Sequence, residues 1–113
     1  MEQLATRFMD LYQNFNLHRI ALVIENMAPD VKWANGMEGG YVYGHAGVAA
    51  YWTKQFSMVN STVTPIEIKQ EYNEVRIKVH QVVHDLQGIL LSDELVEHIF
   101  KLQNGKIAEF NIR

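Results

Sequence analysis

The hydrophobic period of this chain changes near its middle, and that switch constrains the fold more than any count of residues. Up to about Val59 apolar side chains recur every three or four positions; from Thr62 onward they alternate, which predicts helices first and strands after. Leu4, Phe8, Leu11, Tyr12 and Phe15 predict a first amphipathic helix from about Glu2 to Asn14. Asn16 suits an N-cap, and Leu17, Ile20, Ala21, Ile24, Met27 and Ala28 predict a second helix that Pro29-Asp30 ends. Val31 to Asn35 reads as a short strand, Gly36 to Gly40 as a loop, and Tyr41-Val42-Tyr43 as a return beside it. Gly44 opens a third helix whose stripe is Val48, Tyr51, Trp52, Phe56 and Val59, with Gln55 on the same face.

Four β-rich runs follow, Thr62 to Tyr72, Glu74 to Leu86, Ile89 to Gln103 and Lys106 to Arg113, separated by Asn73, Gln87-Gly88 and Asn104-Gly105. Turns this short make neighbouring strands antiparallel, and the helices can bury their stripes only on one face of the resulting sheet. The class is α+β. On the second long strand Val75, Ile77, Val79, Gln81, Val83 and Asp85 should face the helices. On the third, Val96, His98, Phe100 and Leu102 share one face, with Leu95, Glu97, Ile99 and Lys101 opposite. Apolar residues on both sides of that strand predict a homodimer through the sheet; the other reading makes Leu95 and Ile99 ordinary scattered surface residues.

With 113 residues the chain is one domain, and 48% apolar residues suffice to fill its core. A net charge of -3 supplies no cationic field for nucleic acid or an anionic membrane. There is no cysteine, which removes disulfides, thiolate nucleophiles and Cys-ligated zinc and fits a cytoplasmic protein. No run of about 18 apolar residues is present to span a bilayer.

Asp30-Val31-Lys32-Trp33-Ala34-Asn35-Gly36, then Gly40-Tyr41-Val42-Tyr43-Gly44-His45-Ala46-Gly47-Val48-Ala49-Ala50-Tyr51-Trp52, followed by four long strands, resembles the ketosteroid-isomerase-like, SnoaL-like superfamily that also includes nuclear transport factor two. The resemblance implies one SnoaL-like domain over residues 1–113: a cone-shaped, cystatin-like roll, three helices packed in a curved, mainly antiparallel sheet, with an apolar pocket at the open end. It also implies dimerisation through the sheet. Members range from isomerases, dehydratases, cyclases and an epoxide hydrolase to carriers without catalysis, so the fold leaves function open. Asn35 stands where a ketosteroid isomerase has its aspartate base, and Leu11 where it has its oxyanion-binding tyrosine, with Tyr12 adjacent. Glu97-His98 stand where it has an aspartic acid followed by histidine. Steroid isomerisation by that mechanism is therefore not expected.

His98, set by alternation among Val96, Phe100 and Leu102, is the candidate catalytic acid or base; the alternative is a core histidine with satisfied ring nitrogens. Adjacent strand residues face opposite ways, so Glu97 and His98 cannot both reach a pocket without a bulge. Asn35, Gln55 and Gln81 are candidate orienting groups, although Asn35-Gly36 is also a turn signal and the two glutamines could instead pair with one another or with Asn35. Trp33, Tyr51, Trp52 and Phe100 are candidate walls. Metal ligation is not expected: on a strand His80 and His84 have Cα atoms about 13 Å apart and cannot share an ion. The reading is a pocket for a small hydrophobic molecule, with cofactor-free isomerisation, dehydration or cyclisation by proton transfer. The alternative is a non-catalytic ligand-binding or dimeric interaction module. An internal void of roughly 300 Å³ or more, open to solvent and touched by His98, separates the two.

Overall fold

Positive-φ residues at the tight turns set the strand lengths. Asn104 and Gly105 have φ of 53° and 78°, the left-handed pair that a two-residue hairpin turn requires. Asp85 closes another turn, its Oδ1 accepting the backbone N–H groups of Gln87 and Ile89, both at 2.9 Å. The computed structural model describes residues 2–36 and 38–113, with side chains from Ala5 onward. It contains α1 (Glu2–Asn16), α2 (Ile20–Ile24), β1 (Met27–Ala34), β2 (Tyr41–Tyr43), α3 (Gly44–Phe56), β3 (Val59–Glu71), β4 (Glu74–Asp85), β5 (Leu90–Gln103) and β6 (Lys106–Ile112). Met37 of the expected loop, and the Leu4 side chain of the expected helical stripe, lie outside the described residues.

The six strands form one sheet in the order β2-β1-β6-β5-β4-β3, antiparallel throughout except where β1 runs parallel to β6. The helices pack against a single curved face. Register shifts at Pro65/Glu67, Val83/His84 and Lys101/Leu102 add residues to one strand of a pair and sharpen the local bend. Phe8, Leu11 and Tyr12 of α1 and Val48 and Trp52 of α3 meet Val75, Ile77, Val79 and Phe100 on the concave side. This is the α+β layering expected from the change of period.

The expected second helix is much shorter. It covers only Ile20–Ile24, because β6 requires a partner along its free edge and the chain from Met27 supplies it: Met27 lies in register with Ile107, and the Ile107 N–H donates to Asn26 O at 2.8 Å. Asn16 caps no second helix either. It ends α1, and His18 follows in a left-handed conformation with φ of 59°. The Asn16 amide instead donates to Val63 O and accepts from Val63 N, both at 2.9 Å, and so satisfies backbone groups on the outer edge of β3.

The convex face departs from expectation at one residue. Leu95 is exposed at 67%, but Ile99 is only 4% exposed within the single chain and is neither a free dimer contact nor a scattered surface residue. Its register neighbours Arg76 on β4 and Asn111 on β6 flank it.

Candidate functional site

At one end of the roll the helices and the curved sheet do not meet, and the space between them is a cavity of about 370 Å³ that opens to solvent. Its lining comes from all three helices and the concave side of the sheet. The walls are aromatic and mutually locked. Trp33 stacks on Phe110 with centroids 4.1 Å apart and meets Trp52 edge-on at 5.2 Å, so rotating any one ring would displace another. Tyr51 and Phe100 complete the expected walls.

His98 projects inward and is 6% exposed, while Glu97 does not line the cavity. Strand alternation puts the two on opposite faces, and the fold turns the His98 face to the cavity. The Tyr12 hydroxyl lies 2.7 Å from His98 Nδ1, and the two rings are nearly parallel at 5.7 Å. The Phe110 ring stands edge-on to the imidazole at 4.9 Å. Burial removes the solvation that a cationic ring needs, so the His98 pKa falls from 6.5 to about 4. The same burial pushes the Tyr12 phenol well above its ordinary value. Near neutral pH both side chains are uncharged.

Gln55 and Gln81 both line this cavity, and the described structure contains no hydrogen bond between them. Gln55 is only 8% exposed, yet no buried side-chain nitrogen or oxygen among the described residues lacks a partner, so its amide opens onto the cavity. Asn35 is placed differently. Its Oδ1 accepts the Glu38 N–H at 2.9 Å within the β1–β2 turn, and the residue lines a shallower groove beside the mouth rather than the main cavity. Tyr51 has a second task as well, its hydroxyl accepting the Gly36 N–H at 3.0 Å and tying that turn to α3.

Four polar residues lining the cavity, Tyr12, Ser61, Ser92 and Glu94, were not among the candidate residues. Tyr12 was legible only as aromatic lining, because its partner lies 86 residues away. Glu94 reads as part of a solvated acidic edge, but it shares the face of Val96 and His98 and is in register with Gln81 at the rim, where it borders both cavity and groove. Extending the alternation of the third long strand by two residues finds it. Ser61, 5% exposed, would have followed from running the first long strand back from Val63. Among the described residues no three His, Cys, Asp or Glu side chains converge as a metal site.

A family model described as a SnoaL-like domain matches residues 5–110. By sequence alone, no curated protein matches the chain. Solved structures do. An NTF2-like protein of unknown function from Burkholderia pseudomallei superimposes with a TM-score of 0.88 at 21% identity, covering 100% of this chain and 91% of that one. TerC, co-crystallised with polyporic acid, gives 0.84 at 22% identity over 96% and 88% of the two chains. A Mycobacterium tuberculosis protein in complex with estradiol-17beta-hemisuccinate gives 0.80 at 15% identity over 96% and 90%. At these identities the likeness shows the fold.

Proposed function

The chain belongs to the SnoaL-like family, and on that premise we propose that it is a small-molecule pocket protein whose cavity takes a small hydrophobic molecule and acts on it by cofactor-free proton transfer, as an isomerase, dehydratase or cyclase. The observation that carries this reading is a solvent-open cavity of about 370 Å³, walled by aromatic rings, with an inward imidazole at one end. His98 is the group at the reacting end, Gln55 and Gln81 orient the ligand, and Trp33, Tyr51, Trp52 and Phe100 hold its apolar body. Asn35 shapes the mouth. That TerC was co-crystallised with polyporic acid and the Mycobacterium tuberculosis protein with estradiol-17beta-hemisuccinate supports a small-molecule site in this fold.

A specific observation favours the non-catalytic reading. Asn35, at the position of the relative's base, has its side-chain oxygen committed to the turn, so a carrier without a base is the competing function. Replacing His98 with Gln separates the two. Catalysis predicts loss of turnover with ligand binding still measurable, whereas unchanged turnover removes His98 from the chemistry. The ligand for the assay comes from mass spectrometry of whatever small molecule co-purifies.

Leu95, two-thirds exposed on the convex face, supports a homodimer through the sheet as the working assembly. The absence of cysteine supports the cytoplasm as its compartment.

A further inference from the structure

The hydrogen bond between Tyr12 and His98 decides which imidazole nitrogen carries the proton. Tyr12 is 3% exposed, and among the described residues its hydroxyl has one hydrogen-bond partner, His98 Nδ1. A buried phenol has a single hydrogen to place. Pointing it anywhere but at Nδ1 would leave a buried donor unmade, which is the costlier arrangement. Nδ1 is therefore the acceptor, and a neutral ring must carry its proton on Nε2. No other hydrogen bond to this ring exists among the described residues, and no buried polar side-chain atom there lacks a partner, so Nε2 opens onto the cavity.

We propose that Tyr12 holds His98 as the Nε2–H tautomer, so that the imidazole is a hydrogen-bond donor to the ligand, and that the cavity selects an apolar ring compound bearing an uncharged carbonyl oxygen. This rests on the small-molecule reading above and narrows it: His98 polarises a ligand oxygen as a hydrogen-bond donor instead of taking a proton, so in any proton transfer the ligand's proton goes to another group, and Tyr12 is its positioning residue. Two further features restrict the ligand to neutral oxygen. Among the described residues the cavity lining contains no Lys or Arg that would neutralise a carboxylate or phosphate. Glu94 stands at the rim, where its negative charge opposes the entry of an anion. Gln55 can serve a second polar group on the same ligand, since a carboxamide both donates and accepts.

The test has two arms on the whole chain. In the first, two-bond proton–nitrogen correlation spectra of histidine-labelled protein near neutral pH should show His98 with Nε2 protonated and Nδ1 bare. Tyr12→Phe should convert this into a mixture of tautomers. A protonated Nδ1 in the wild type overturns the proposal. In the second, acetylnaphthalene, ethylnaphthalene and naphthoic acid, which share one ring system, are titrated against Trp33 and Trp52 fluorescence. The ketone should bind roughly five- to tenfold more tightly than the hydrocarbon, the increment of one hydrogen bond, and the acid most weakly. His98→Phe should bring ketone and hydrocarbon together while the hydrocarbon still binds. Equal binding of ketone and hydrocarbon to the wild type overturns the donor role and leaves the pocket standing. Failure of all three to bind removes the small-molecule reading, and the ligand class with it.

Discussion

Lowering the pH through the acid range should weaken this protein through His98 in a way that one substitution isolates. In the folded state burial holds the ring pKa at about 4, against 6.5 for the ordinary side chain. Between these two values the unfolded chain binds a proton that the folded chain refuses, so stability falls as pH falls. The contribution is present in full above pH 6.5, declines through the interval and is lost once pH passes below about 4. At about 1.36 kcal/mol for each tenfold change in proton affinity, the loss is about 3 kcal/mol. For a domain of ordinary stability, roughly 5–15 kcal/mol, that is a substantial fraction. The assay is urea unfolding at a series of pH values for the wild type and for His98→Gln, which keeps a polar group beside Tyr12 but cannot titrate. Every other titrating group is common to both proteins, so the gap between their stability curves reports His98 alone. The gap should shift by about 3 kcal/mol toward the variant on acidification. Parallel curves from neutral pH to about pH 4 would show that the ring is not desolvated, and the reasoning about the cavity end would fail.

Asn16→Ala should cost about 2 kcal/mol in urea unfolding, because two buried-edge hydrogen bonds to Val63 are lost together. Asn16→Asp should cost at least as much, since the carboxylate still accepts from Val63 N but sets a second acceptor against Val63 O. Val83→Trp places a large ring in the cavity from the sheet side, and should abolish binding of acetylnaphthalene without lowering the unfolding midpoint by more than a few degrees. The homodimer proposed through the sheet predicts that the wild type sediments as a dimer at micromolar concentration and that Leu95→Glu sediments as a monomer with an unchanged circular dichroism spectrum; a monomeric wild type would refute that assembly.

Elements built on a long, regular pattern were legible in the chain. β3, β4, β5 and α3 were readable because alternation or a helical stripe runs through ten or more residues, and the shorter β6 because the Asn104-Gly105 turn sets it off. The stretch from Asn16 to Asp30 failed for the opposite reason. Its spacing fits a helix, but Met27 and Ala28 are apolar under either period, and the parallel partner that makes them a strand is β6, some eighty residues later. Asn16 misleads in a similar way, since a good N-cap is equally a good partner for an exposed strand edge. At the site, alternation set Gln81 toward the helices and put His98 and Glu97 on opposite faces, but left open which of those two the pocket takes. It could not show that Tyr12 reaches Nδ1, because that depends on how α1 lies across the sheet. Asn35 fell between two legible signals, and the turn took its side-chain oxygen.

The most direct test is a high-resolution structure of the protein soaked with acetylnaphthalene. The account predicts the ring system between Trp33, Trp52 and Phe100, with the ketone oxygen within hydrogen-bond distance of His98 Nε2 and Tyr12 still on Nδ1. A ligand seated with its oxygen toward the rim, or a His98 ring turned so that Nε2 meets protein instead of the cavity, would contradict it.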